Sequence, residues 1–156
     1  MSGPILRRYA AAGAWDEVEV RAYKNDDAAP YRDVTRRVLF EHPELACALR
    51  YFEVAPGGHT TLERHRHVHA VVIQRGRGRV LVGSRVEAVA PFDLVEVPPL
   101  AWHQFRADAD APLGFLCMVN AQRDRPELPD AATLARLRED PAIAAFIRVD
   151  GGAATG

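Results

Sequence analysis

At 156 residues, with 48% hydrophobic and 26% charged side chains, the chain has the make-up of one globular domain able to bury a core. Its 20 Lys and Arg against 21 Asp and Glu leave a formal charge of −1, which excludes the basic excess that a nucleic-acid surface needs. Met1 to Ala14 carries Arg7 and Arg8 but no continuous apolar run, so no signal or membrane segment is expected and a cytoplasmic protein is.

In chain order, Ile5 to Ala12 reads as a short helix ending near Gly13. Val18 to Tyr23 alternates apolar and polar residues, the period of a half-buried strand. Thr35–Phe40 and Leu45–Val54 are further strands, and Pro56-Gly57-Gly58 then breaks the chain. Short strands follow at Thr60–Arg64, Ala70–Gln74, Gly78–Val82, Val86–Val89, Leu94–Val97, Trp102–Arg106 and Leu113–Val119, separated by Gly and Pro turns. Many short strands with no helix between them predict an antiparallel sandwich or barrel. Beyond it, Asp130 can cap a helix through Arg138, and Pro141 can open a second one at Ala142 to Ile147. Gly151 to Gly156 reads as a disordered end. Cys47 and Cys117 stand singly in apolar segments, the pattern of buried reduced thiols rather than of a disulfide framework.

Three histidines, His65, His67 and His69, alternate behind Glu63. Imidazole and carboxylate are the common ligands of divalent transition metals, and side chains two apart on a strand share a face. A straight strand would nevertheless hold positions 63 and 69 about 20 Å apart. Metal–ligand bonds of roughly 2.0–2.2 Å cannot span that distance. The segment must therefore bend, and Arg66 to Val68 is the expected place.

These residues resemble the cupin superfamily. Its first motif runs glycine, five residues, His-x-His, three or four residues, Glu, six residues, glycine. Here Pro56-Gly57-Gly58 precedes the cluster and Gly76 follows His69 after six residues, so His69 takes the place of the motif glutamate, His65 that of the second histidine and Glu63 that of the first. The second motif, proline, any residue, glycine, two residues, histidine, is matched by Phe92-Asp93-Leu94-Val95-Glu96-Val97-Pro98-Pro99-Leu100-Ala101-Trp102-His103, with Leu100 and Phe92 standing where the family has glycine. The likeness covers about Leu45 to Val119.

The resemblance implies an all-β, antiparallel cupin (jelly-roll) barrel with a short C-terminal helical tail, one domain over 1–156. Its core would run over about 45–120 and its tail over about 130–148. It implies a metal site of Glu63, His65, His69 and His103, with His67 as the alternative to Glu63 or His69. The cofactor is then one divalent transition metal, Fe2+ first, with Mn2+, Ni2+, Cu2+ or Zn2+ as the other candidates. The expected activity is oxygen-dependent cleavage or oxidation of a small organic molecule, a dioxygenase-type reaction in which Glu63 is a ligand or a base. The alternatives are a metal-dependent isomerase, lyase or decarboxylase, and a non-enzymatic binding protein. Phe105, two residues after His103, shares its inward face and is the candidate substrate contact, while Trp102 and Gln104 point away. Arg50 and Tyr51 lie on a strand whose facing the pattern leaves open, and one of Cys117 and Met118 faces the cavity. The expected partners are a small-molecule substrate and a second copy in a homodimer, with no nucleic acid and no membrane.

Overall fold

The chain is described from a computed structural model covering residues 6–24 and 29–150. In order it forms β1 (Arg21–Ala22), β2 (Arg32–Glu41), β3 (Cys47–His59), β4 (His69–Gly76), β5 (Gly78–Val82), β6 (Arg85–Val89), β7 (Leu94–Val97), β8 (His103–Ala107), β9 (Leu113–Asn120), α1 (Ala131–Leu137) and α2 (Pro141–Phe146). Hydrogen bonds link the strands in the order β6-β5-β8-β3-β9-β4-β7, with β2 on β3 and β1 on β2. All pairs are antiparallel. The barrel with a helical tail is the fold expected from the sequence.

The barrel has a large wall, β2-β3-β9-β4-β7, and a small one, β6-β5-β8, and two strands' worth of chain turn the corner between them. Most of β3 pairs with β2 and β9, yet its last residue, His59, pairs with Arg106 of β8. Pro56-Gly57-Gly58 is therefore a corner inside one strand and not a break: Gly57 takes φ +75 and its N–H bonds to the Asp108 carbonyl. The second corner is Gly76, at φ +75 between β4 and β5, where any Cβ would lie 1.8 Å from the Pro112 carbonyl oxygen. Strands that switch sheets do so at such bulges, and only glycine fits this one.

Alternation decides which side chains face inward. On β9, Leu113, Phe115, Cys117 and Val119 are buried while Met118 is exposed. Opposite them on β3 stand Val54, Phe52, Arg50 and Ala48 in register. The core thus grades from aliphatic residues at one end to an arginine, a thiol and histidines at the other. The tail covers the outside of the small wall, where Ile143, Phe146 and Ile147 bury Leu81 and Leu62. Asp130 accepts from the Thr133 N–H at the start of α1, and Asp140 caps α2 ahead of Pro141.

Three expected elements differ. No helix forms over residues 6–12; Tyr9 instead bridges to Trp15, and the rings of Tyr9, Trp15 and Tyr51 meet edge to face at 5.0 Å. Aromatic packing on the sheet outweighs local helix propensity there. Of Val18 to Tyr23 only Arg21–Ala22 is strand, because Tyr23 turns inward against Tyr31 and Phe52. Thr60–Arg64 is no strand either. It carries single bridges, Glu63 to His103 and Arg64 to Glu127, as the chain crosses between walls. The expected disorder of 151–156 lies outside the described residues. Among those described, no helix is long and apolar enough to cross a membrane.

Candidate metal centre and cavity

The histidine segment does bend, at Arg66 and His67. The carboxylate of Asp124, just past β9, accepts from the backbone N–H groups of Arg66 (2.7 Å) and His67 (3.0 Å) and pairs with His67 Nδ1 at 2.7 Å. Those donors, backbone first, hold its carboxyl well below the usual carboxylate range. With the bend fixed, His65 precedes it, His69 opens β4 after it, and His103 opens β8 across the barrel. The two backbone bonds between Glu63 and His103 set that crossing.

Among the described residues, His65, His69 and His103 bring their ligand atoms within 4.8 Å of one another. Their outer nitrogens are occupied. His65 Nδ1 lies 2.8 Å from the His67 carbonyl and His103 Nδ1 lies 2.9 Å from the Ala101 carbonyl. A carbonyl only accepts, so each Nδ1 carries the proton and each Nε2 keeps its lone pair. Nε2 of His65 and of His69 is buried without a hydrogen-bond partner. Buried ring nitrogens left open in this way, with carbonyls fixing the tautomers of His65 and His103 from behind, are what a metal ligand requires, so the donor set fits a divalent ion. Burial, then the neighbouring imidazoles, lowers the pKa of His65 to about 4; His69 is lowered for the same causes, and His103 chiefly by burial. All three stay neutral near pH 7.

Glu63 is buried beside this group and outside it: its carboxylate pairs with Lys24 Nζ. His67 stacks flat on His65, centroids 3.6 Å apart and planes 7° from parallel, while its Nδ1 is held by Asp124. The structure thus gathers three of the four expected ligands and gives Glu63 and His67 other partners.

These groups open into a cavity of about 190 Å³. Its floor is the stacked set Phe52, Phe115 and Phe105, so Phe105 does line it on the same face as His103. Trp102 packs outward under the Arg64 guanidinium, and Gln104 is buried behind the small wall. Arg50 and Cys117 face in, whereas Tyr51 faces out under Trp15 and Met118 is exposed. Cys117 Sγ lies 3.5 Å from His69 Nδ1 and 3.8 Å from an Arg50 Nη. Both cysteines are free, Cys117 buried and Cys47 half-buried.

Sequence reasoning missed Tyr23, Lys24, Arg36, Arg123 and Asp124, all of which line the cavity. Arg36 and Arg37 are neighbours on β2, and alternation puts only one of them inside without saying which. Asp124 follows the last strand with no spacing to mark it.

The Cupin domain model matches residues 50–119. A protein from Rhodospirillum rubrum named 1-methylthio-D-xylulose 5-phosphate methylsulfurylase is 57% identical over 142 residues, 91% of either chain. A cupin 2 conserved barrel domain protein from Rhodopseudomonas palustris superposes with a TM-score of 0.87 at 58% identity, over 92% of this chain and 99% of that one. A cupin 2 domain-containing protein from Halorhodospira halophila gives a TM-score of 0.72 at 43% identity, over 87% and 99%.

Proposed function

This chain belongs to the cupin family, and from that premise we propose that it is a metal-dependent enzyme acting on a methylthio-substituted ketose phosphate, the compound named for its 57% identical relative. The observation that carries the reading is the pair of buried, unpartnered Nε2 atoms of His65 and His69, gathered with His103 at a cavity that also holds arginines. His65, His69 and His103 would hold one divalent ion, Fe2+ first among the candidates, with Glu63 completing the set on leaving Lys24. Such an ion supplies Lewis-acid polarisation of a substrate hydroxyl or carbonyl oxygen.

The chain's own groups account for the rest. While paired with Lys24, Glu63 stands beside the cluster as a carboxylate able to take a substrate proton. Burial, then the nearby Glu63, raises the Tyr23 phenol well above its ordinary pKa, so it stays protonated as a donor at the cavity wall. Phe105, with Phe52 and Phe115, offers an apolar floor for the methylthio end and keeps water from it. The oxygen-dependent oxidation expected from the sequence would use the same open ion, and oxygen uptake separates the two reactions.

The test combines metal analysis with turnover. Protein purified without added metal should carry one divalent ion per chain. Glu63→Ala, His65→Ala, His69→Ala and His103→Ala should lose most of it, and His67→Ala should keep it. The loaded protein should turn over 1-methylthio-D-xylulose 5-phosphate without consuming oxygen. Full metal content in both His69→Ala and His103→Ala would sink the metal centre; oxygen uptake matching turnover would select the oxidation instead.

A further inference from the structure

Arginine side chains facing a cavity ordinarily have a carboxylate within reach, because a guanidinium out of water is costly unless paired. Arg36, Arg50 and Arg123 line this cavity from three places, the middle of β2, the first part of β3 and the step beyond β9. Among the described residues, no ion pair involves any of them. The two cavity carboxylates are already engaged, Glu63 by Lys24 and Asp124 by the histidine bend. Arg50 is only 9% exposed, and its Nε, like that of Arg36, is buried with no hydrogen-bond partner. What it does touch is weakly polar: its guanidinium lies 5.0 Å over the Phe52 ring and 3.8 Å from the Cys117 thiol. Arg123 is curled back by bonds to the Asn120 and Ala121 carbonyls, which hold it at the rim.

The three cations are also close enough to feel one another. Next to burial, Arg50 is the largest influence lowering the proton affinity of both Arg36 and Arg123. Among the described residues no carboxylate forms an ion pair with any of the three, so the like charges repel one another in the free chain, and an entering anion relieves that repulsion. Forked guanidinium donors match the oxygens of a phosphate monoester, and several of them can share one dianion.

We infer that Arg36, Arg50 and Arg123 form an anion subsite that takes the phosphate group of the substrate, with the reacting end directed to the histidine cluster. The assignment rests on the ketose-phosphate reading above and adds to it the residues that select phosphorylated over free sugar. The Cys117 thiol, in reach of both His69 and Arg50, marks how close the two halves of the site are. Lys24 is left out of the subsite because, in the metal-free chain titrated below, Glu63 neutralises it.

The full chain, treated with chelator so that no metal can bind phosphate, is titrated calorimetrically with D-xylulose 5-phosphate, D-xylulose and inorganic phosphate. The sugar phosphate should bind at least about thirtyfold tighter than the free sugar, and inorganic phosphate should compete with it. Arg36→Met and Arg123→Met should each weaken the sugar phosphate at least about tenfold and leave D-xylulose unchanged. Arg50→Lys, which keeps charge and stem, should weaken it less than Arg50→Met. Equal affinity for the two sugars, no competition by inorganic phosphate in the unaltered chain, or an undiminished preference in an Arg36→Met/Arg123→Met double variant would each overturn the subsite. The competition result needs no variant and stands even if a substitution unfolds the protein. Turnover separates the two readings. A chain that binds sugar phosphates through these arginines yet leaves the methylthio compound untouched overturns the substrate and keeps the subsite. Turnover undiminished in the double variant overturns the subsite and keeps the substrate.

Discussion

At the scale of single residues, the neutral imidazoles make acid the agent that loosens the metal-free chain. His65 titrates near 4 in the folded state against 6.5 for an unstructured histidine, and His69 and His103 are lowered as well. Between those values the unfolded chain takes up protons that the folded one refuses. Stability is therefore complete above pH 6.5 and falls as pH drops from there toward 4, by about 1 kcal/mol per pH unit for His65, with His69 and His103 acting in the same direction. Urea unfolding of chelated protein should show a lower midpoint at pH 5.5 than at pH 7.5; equal midpoints would contradict the burial argument. Phe92 is a second case. It sits where the family pattern has glycine, keeps φ +75, and leaves its ring 88% exposed. Phe92→Gly removes left-handed strain and little packing, so it should raise stability by about 1 kcal/mol in the same assay. The sequence disclosed the glycine positions, through Phe92 and Leu100, but not that the backbone had kept the glycine conformation at both.

Among elements, strand β8 links the site to the tail. Phe105 lines the cavity and His103 joins the histidine cluster, and between them Gln104 is wholly buried on the other side. Its amide donates to the Thr60 and Arg148 carbonyls at 2.8 and 2.7 Å and accepts from the Arg148 N–H at 2.9 Å. Arg106 donates to the Phe146 carbonyl from the same strand. Gln104→Ala would strip these backbone groups of partners where water cannot replace them, at a cost of about 2–3 kcal/mol. Thermal unfolding should fall accordingly, and an unchanged midpoint would deny the tail any hold on the barrel. Period-two patterning made β4 to β9 legible to within a residue or two, because each has one face on the core. It failed where another force ruled: the corner at Gly57, the aromatic meeting of Tyr9 with Trp15, and the crossing at Thr60 to Arg64. Of the site, the histidines were visible through their spacing. The arginines were not, since which face of β2 and β3 turns inward depends on partners far along the chain.

For the molecule as a whole, the outer face of the large wall is unusually apolar. Leu94 of β7 stands opposite Val72 of β4, and Val72 opposite Leu116 of β9; Met118 lies on the same face. Leu94, Val72 and Met118 are all exposed, and Phe40 at the end of β2 is exposed as well. Exposed apolar side chains on one sheet face suit an interface, and we propose that the homodimer expected from the family resemblance covers this one with a second copy. Leu94→Arg combined with Met118→Arg should turn a dimer into a monomer in sedimentation equilibrium while leaving the metal content unchanged. A monomer before substitution would remove the proposal.

Asp124 and its neighbour carry one more consequence. Surface connections usually accept added residues at slight entropic cost. The stretch after β9 cannot, since Asn120 ends the strand, Arg123 turns back to its carbonyl, and Asp124 pins the bend that sets the histidines. Lengthening it by a single residue would move the cation and the carboxylate out of place together. This short connection should therefore accept an insertion poorly, although nothing in its composition sets it apart from an ordinary loop.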